Sequence, residues 1–208
     1  MRDYFIAIAG NIGAGKSTLT AMLADRLGWQ PFYEANAENP YLEDFYNDMQ
    51  RWSFHSQAFF LSKRLEHHRA LVDYPGSVVQ DRTVYEDAEI FARNLYQRGD
   101  MSDRDYDTYH SLYTAVSKFL PPPDLIIYLR ASVDTLMQHI NRRGRAFEQT
   151  IQREYIAALN ALYEDWIDNW RLCPVLTIEM DDTDFQNNGG HFERVVSAVQ
   201  VALPQAVG

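Results

Sequence analysis

Gly10-Asn11-Ile12-Gly13-Ala14-Gly15-Lys16-Ser17 stands between an apolar run and an amphipathic one, and that setting decides how the chain folds. Upstream, Tyr4-Phe5-Ile6-Ala7-Ile8-Ala9 is uninterrupted, as a central parallel strand covered on both faces requires. Downstream, Leu19, Met22, Leu23 and Leu27 recur at helical spacing, and Gly28 supplies a stop. Gly10, Gly13 and Gly15 let successive backbone amides turn inward as an anion nest, which the N-terminus of the following helix reinforces. The eight-residue pattern alone could be a glycine-rich turn with an exposed lysine. Between a strand and a helix it reads as a phosphate loop, with Lys16 aimed at the β- and γ-phosphates of a nucleoside triphosphate and the Ser17 hydroxyl at Mg2+.

Further short strands are expected at 31–33, 78–80, 125–129 and 175–178, each separated from the next by helical pattern. Long helical stretches fill 40–71 and 85–119, the second ending before Pro121-Pro122-Pro123, and shorter ones cover 133–140 and 155–170. Strands alternating with helices imply right-handed crossovers and a five-stranded parallel sheet flanked by helices, an α/β fold. Asn187-Asn188-Gly189-Gly190 is expected to be a flexible turn. A chain of 208 residues suits one core, so 1–208 is read as a single domain.

Composition narrows the partners. The formal charge is −10, and the basic residues are scattered apart from one short cluster, so no stripe exists to track a nucleic-acid backbone. Cys173 is the only cysteine, which excludes an internal disulfide and a thiolate-rich metal site. No apolar run approaches the roughly 20 residues needed to cross a bilayer. The chain enters a strand soon after Met1, with no room for a signal peptide, so no membrane partner and a cytoplasmic location are expected. His55, His67 and His68 have no third ligand at metal spacing and are read as packing or surface residues.

The basic cluster is Arg142-Arg143-Gly144-Arg145, which opens a segment of about 141–149. Arginines on a glycine-hinged loop can close over a transferring phosphoryl group and neutralise the charge on its oxygens. A solvated basic loop is the alternative.

Six segments then agree in order and spacing: GNIGAGKST at 10–18, Glu34, RWSFHSQ at 51–57, DRTVYED at 81–87, RRGRAFE at 142–148 and DDTDF at 181–185. With them the chain resembles the deoxynucleoside kinase family over nearly its full length. The resemblance implies a P-loop kinase fold with an arginine-rich lid, a homodimer, and transfer of the γ-phosphate of ATP to the 5′-hydroxyl of a deoxynucleoside in nucleoside salvage. It implies that Gly10 to Thr18 hold the ATP phosphates, that Glu34 is the general base, and that Arg82 holds the 5′ oxygen and the base carboxylate in place. Asp81 joins Ser17 near Mg2+, and Lys16, Arg143 and Arg145 clamp the phosphoryl group. Tyr46 and Glu148 match the residues that bind the 3′-hydroxyl, and Phe91 matches an aromatic that stacks on the base. The adenine of ATP would lie near Asp184 and Phe185, with Arg143 stacking from the other side.

Gln57, Arg64 and Asp87 match base-reading positions, and Arg64 with Asp87 resembles the pairing of the deoxycytidine and deoxypurine kinases. Gln57 and Arg64 are seven residues apart on an expected helix, hence on one face. An ionised Asp87 needs a donor, such as the exocyclic amine of adenine or cytosine or the N1/N2 edge of guanine; thymine would offer it a carbonyl lone pair. Asn39 stands where other members carry tryptophan, and Glu38-Asn39-Pro40 resembles the bacterial members. A deoxypurine acceptor is therefore expected, with deoxycytidine possible. A nucleoside monophosphate kinase shares the loop, the Asp-Arg pair and the arginine lid, but Glu34, Asp87 and Glu148 would repel an acceptor phosphate. A catalytically silent homologue would be expected to lack Lys16, Glu34, Arg82 or the lid arginines; all are present.

Overall fold

A computed structural model describes residues 3–34, 38–145, 148 and 150–203. Five strands, β1 (Phe5–Ala9), β2 (Gln30–Phe32), β3 (Val78–Asp81), β4 (Leu125–Arg130) and β5 (Val175–Glu179), form an all-parallel sheet in the order β2-β3-β1-β4-β5. β1 lies at the centre, and Ile6 to Ala9 are inaccessible to solvent, as an unbroken apolar run on both faces demands. The expected strands thus lie within a residue or two of those observed.

Helices α1 (Lys16–Leu27), α2 (Leu42–Asn47), α3 (Met49–Val72), α4 (Val84–Glu86), α5 (Arg93–Gln97), α6 (Asp103–Ser117), α7 (Val133–Arg143), α8 (Arg153–Asn169) and α9 (Gly189–Ala202) flank the sheet. Four expected boundaries need correction. The stretch expected at 40–71 breaks at Asp48, whose extended backbone ends α2 and whose carboxylate accepts from the Arg51 amide to cap α3. The stretch at 85–119 is interrupted after Gln97, where Gly99 takes φ 78°, and it restarts when Ser102 caps α6. Helix α7 runs on through Arg143 to a left-handed Gly144, so the first three residues of the expected lid are helical. Gly189 and Gly190 are not a loose turn; Asn188 accepts from the Gly190 and His191 amides and starts α9.

Between α4 and α5, Asp87–Ala92 forms a π-helical turn, an irregularity that concentrates at functional sites. Helix α8 buries Tyr155, Ile156, Leu159, Leu162, Tyr163, Trp166 and Ile167 in this chain's own core.

Candidate active site

The segment from Gly10 to Gly15 links the end of β1 to the start of α1 and wraps an anion-sized hollow. Gly13 takes φ 86°, and a Cβ there would lie 2.9 Å from the Leu136 carbonyl, so no other residue fits. Lys16 is buried and donates to the Asn11 carbonyl at 3.0 Å. Burial and the neighbouring Arg82 lower its pKa to about 8 against the pull of Asp81, Glu34 and Glu86, so it stays mainly protonated at neutral pH. The Ser17 hydroxyl donates to Asp81 Oδ2, and Asp81 Oδ1 is buried with no hydrogen-bond partner. A hydroxyl beside a carboxylate with spare acceptor capacity is the hard-oxygen set that Mg2+ takes, and those two residues fit that ion.

Facing Lys16 is a closed network of charge. Glu34, in the loop after β2, is paired with Arg82 at 2.8 Å and with Arg64 at 3.2 Å. Arg64, on α3, also grips Asp87 with two nitrogens at 3.0 and 3.3 Å and donates to the carbonyls of Asp81 and Arg82. Burial opposes both guanidinium charges, but the carboxylates of Glu34 and Asp87 outweigh it and hold both arginines above their ordinary range. Arg82 has φ 65°, the described non-glycine residue with a left-handed backbone, and its guanidinium lies 4.1 Å from the Phe91 ring centroid. Such a backbone costs about 1–2 kcal/mol, and the carbonyl and ion-pair contacts hold it in place.

These groups share one cavity of about 240 Å³. Lys16, Ser17, Glu34, Tyr46, Gln57, Asp81, Arg82, Asp87, Phe91, Arg143, Arg145 and Glu148 all line it, and Arg64 lies behind, where it orients two carboxylates. Gln57 is buried, and its Oε1 has no hydrogen-bond partner. Asn39 is buried on the Ser56 hydroxyl, where its amide supports the wall formed by α3. Burial and the nearby Tyr155 and Glu148 raise the Tyr46 phenol above its usual range, so it is a hydrogen-bond donor at any working pH.

Arg143 and Arg145 meet Glu148 directly. Arg143 donates to both oxygens of Glu148 at 2.7–3.0 Å, and Arg145 reaches it at 3.4 Å. Residues 146, 147 and 149 of the expected lid lie outside the described residues.

A second cavity, about 600 Å³, opens on the other side of the phosphate loop and shares Gly13, Gly15, Thr18 and Arg143 with the first. Asp184 and Phe185 line it; Phe185 is buried against Gly15, and the Asp184 carboxylate is taken by the Asn187 amide groups. The sequence reading missed His139, which lines this cavity and lies 2.9 Å from the Gly13 carbonyl. Its position four residues before Arg143, one turn along the same helix, was the available signal. Asn160 was missed too: it accepts from Asn11 at 2.7 Å and donates to the Ala131 carbonyl, tying the loop to α8.

Comparison with known proteins decides what this pair of cavities belongs to. A family model described as "Deoxynucleoside kinase" matches residues 6–204. The chain belongs to the deoxynucleoside kinase family.

Among relatives, a deoxyadenosine/deoxycytidine kinase of Bacillus subtilis is 40% identical over 200 residues, covering 95% of this chain and 92% of that protein. A deoxyguanosine kinase of the same organism is 34% identical over 200 residues, covering 94% and 96%. The structure of a deoxyadenosine kinase from M. mycoides with bound dATP superposes with a TM-score of 0.85 at 32% identity, over 95% of this chain and 99% of that one. This deoxynucleoside kinase therefore carries a P-loop kinase fold and phosphorylates nucleosides.

Proposed function

We propose that this kinase moves the γ-phosphate of ATP to the 5′-hydroxyl of a deoxynucleoside bearing an exocyclic amine: deoxyadenosine or deoxyguanosine first, deoxycytidine next, thymidine least. The observation that carries the reading is the carboxylate-rich wall opposite Lys16, where Glu34 is held by Arg64 and Arg82. A neutral acceptor can hydrogen-bond to such a wall, whose carboxylates already hold the arginines.

In this reading the loop amides from Gly10 to Thr18 and Lys16 hold the β- and γ-phosphates. Ser17 and Asp81 would hold Mg2+, which neutralises charge between those phosphates. Glu34 orients the 5′-hydroxyl and takes its proton late, as the O5′–P bond forms and the bond from the γ-phosphorus to the bridging oxygen breaks to release ADP. Arg82 holds the 5′ oxygen. Tyr46 and Glu148 take the 3′-hydroxyl, and Arg143 and Arg145 supply charge to the transferring group. Gln57 reads the base edge beside the Arg64–Asp87 pair, with Phe91 under the ring, and Asp184 and Phe185 border the adenine of ATP. The amine requirement accords with the deoxyadenosine and deoxycytidine named for the B. subtilis relative. The same reading has a single domain acting as a homodimer in the cytoplasm, testable by sedimentation equilibrium; no described helix is long and apolar enough to cross a membrane.

An ATP-dependent assay over the four deoxynucleosides and their ribose counterparts tests the reading. Turnover is expected with the deoxypurine nucleosides and deoxycytidine; thymidine as the best substrate would refute the base assignment. ATP-dependent turnover of deoxyadenosine monophosphate without turnover of deoxyadenosine would refute the neutral acceptor. Glu34→Ala should lower kcat by at least a hundredfold with nucleoside affinity nearly kept, within the range general-base catalysis contributes; wild-type turnover would remove Glu34 from that role.

A further inference from the structure

Glu86 is a carboxylate with no solvent exposure, and nothing in the chemistry above uses it. A buried carboxylate is retained only when its oxygens are satisfied, and here donors come from three separate elements. Oε2 accepts from the Thr83 amide at 2.8 Å and the Thr83 hydroxyl at 3.2 Å. Half of this is a local capping box at the start of α4. A capping box needs nothing more.

Oε1 reaches elsewhere. It accepts from the Gly10 amide at 3.3 Å and the Tyr163 hydroxyl of α8 at 2.9 Å. Strand register explains why this matters. Ile8 pairs with Asp81, and the Arg82 amide donates to the Ile8 carbonyl as the ladder ends. Gly10 and Thr83 are each two residues beyond that last pair, where one chain turns into the phosphate loop and the other has just passed Arg82. No backbone hydrogen bond joins them, so the carboxylate of Glu86 supplies the next rung.

We propose that Glu86 is a positioning residue whose carboxylate bridges Gly10 and Thr83 and so fixes the phosphate loop relative to Arg82. In-line transfer depends on that distance, because one loop holds the phosphoryl donor and the other the 5′ oxygen. Tyr163 extends the bridge to α8, the helix that follows the lid and whose Asn160 also binds Asn11. The base readers Gln57, Arg64 and Asp87 stand outside this bridge.

The inference rests on the donor and acceptor assignment given above, and turnover of the wild-type enzyme checks that assignment first. Given wild-type turnover, Glu86→Gln keeps the shape but turns an amide donor toward one of the existing donors, and Glu86→Asp keeps the charge but is too short to span both chains. Each is expected to lower kcat tenfold or more with the nucleoside KM within twofold, in protein whose melting curve is cooperative. Unchanged kcat in either folded variant overturns the proposal, as does a rise in nucleoside KM at constant kcat. Should neither variant fold, Tyr163→Phe removes a single hydrogen bond to Oε1. A two- to fivefold fall in kcat at constant nucleoside KM then supports the bridge, and wild-type kcat overturns it.

Discussion

Asp87 shows how a single residue can be right in type and different in action. From sequence it reads as an ionised acceptor for a base amine, paired with Arg64 by the family resemblance; in the fold Arg64 engages both its oxygens. A base bound as proposed would meet a pinned pair, in which Arg64 sets the direction of the remaining carboxylate lone pairs. Removing one partner of a buried pair strands the other, at roughly 3–5 kcal/mol, though here Glu34 and two carbonyls still hold Arg64. Asp87→Ala is accordingly expected to lower the melting temperature and shrink the preference for deoxyadenosine over thymidine by at least tenfold. Competition kinetics with the two nucleosides check this, and an unchanged ranking would discredit the base-reading assignment. The types of Glu34, Arg64, Arg82 and Asp87 were legible one by one. The pairs Arg82–Glu34 and Arg64–Asp87 followed from the family resemblance; that Arg64 also holds Glu34 did not, because that contact joins α3 to the loop after β2 across a sequence gap that carries no periodic signal.

At the scale of elements, the phosphate loop was the most legible part, since glycines are forced there by backbone geometry. The surprise is how its glycines are enforced from outside. Gly13 is pressed by the Leu136 carbonyl and Ile140 of α7, the helix that ends in the lid arginines. Gly13→Ala places a side chain 2.9 Å from that carbonyl in a left-handed backbone worth about 1–2 kcal/mol on its own. The expected result is at least a tenfold fall in kcat/KM for ATP, with nucleoside binding by calorimetry little altered; full ATP efficiency would show that α7 yields. The breaks at Asp48 and after Gln97 escaped the periodic reading, because an apolar pattern continues through a cap residue that stops the backbone. The π turn at Asp87–Ala92 escaped for a related reason: a widened turn leaves no mark in the spacing of apolar residues that a regular helix could not also produce.

For the whole molecule, stability and chemistry occupy different parts of one sheet. The buried interior of β1 and β4 supplies the core, and the carboxyl ends of β1, β2 and β3 present the charged groups that line the cavity. Ile127, fully buried in β4, belongs to the core alone. Ile127→Ala should cost about 2–5 kcal/mol by denaturant titration while leaving the order of nucleoside preference intact; a changed order would mean that the core and the site are coupled. The sequence by itself determined the α/β class, the phosphate loop and the charged residue types around it, because strand and helix periods and glycine geometry are local properties of the chain. Only the tertiary structure decided that Arg64 joins Glu34 to Asp87, that Arg143 and Arg145 share Glu148, and that Glu86 closes the gap beyond the last rung between β1 and β3. Those are contacts between strand ends and loops brought together by crossovers, and a buried charge acquires its meaning from the partner that folding places beside it.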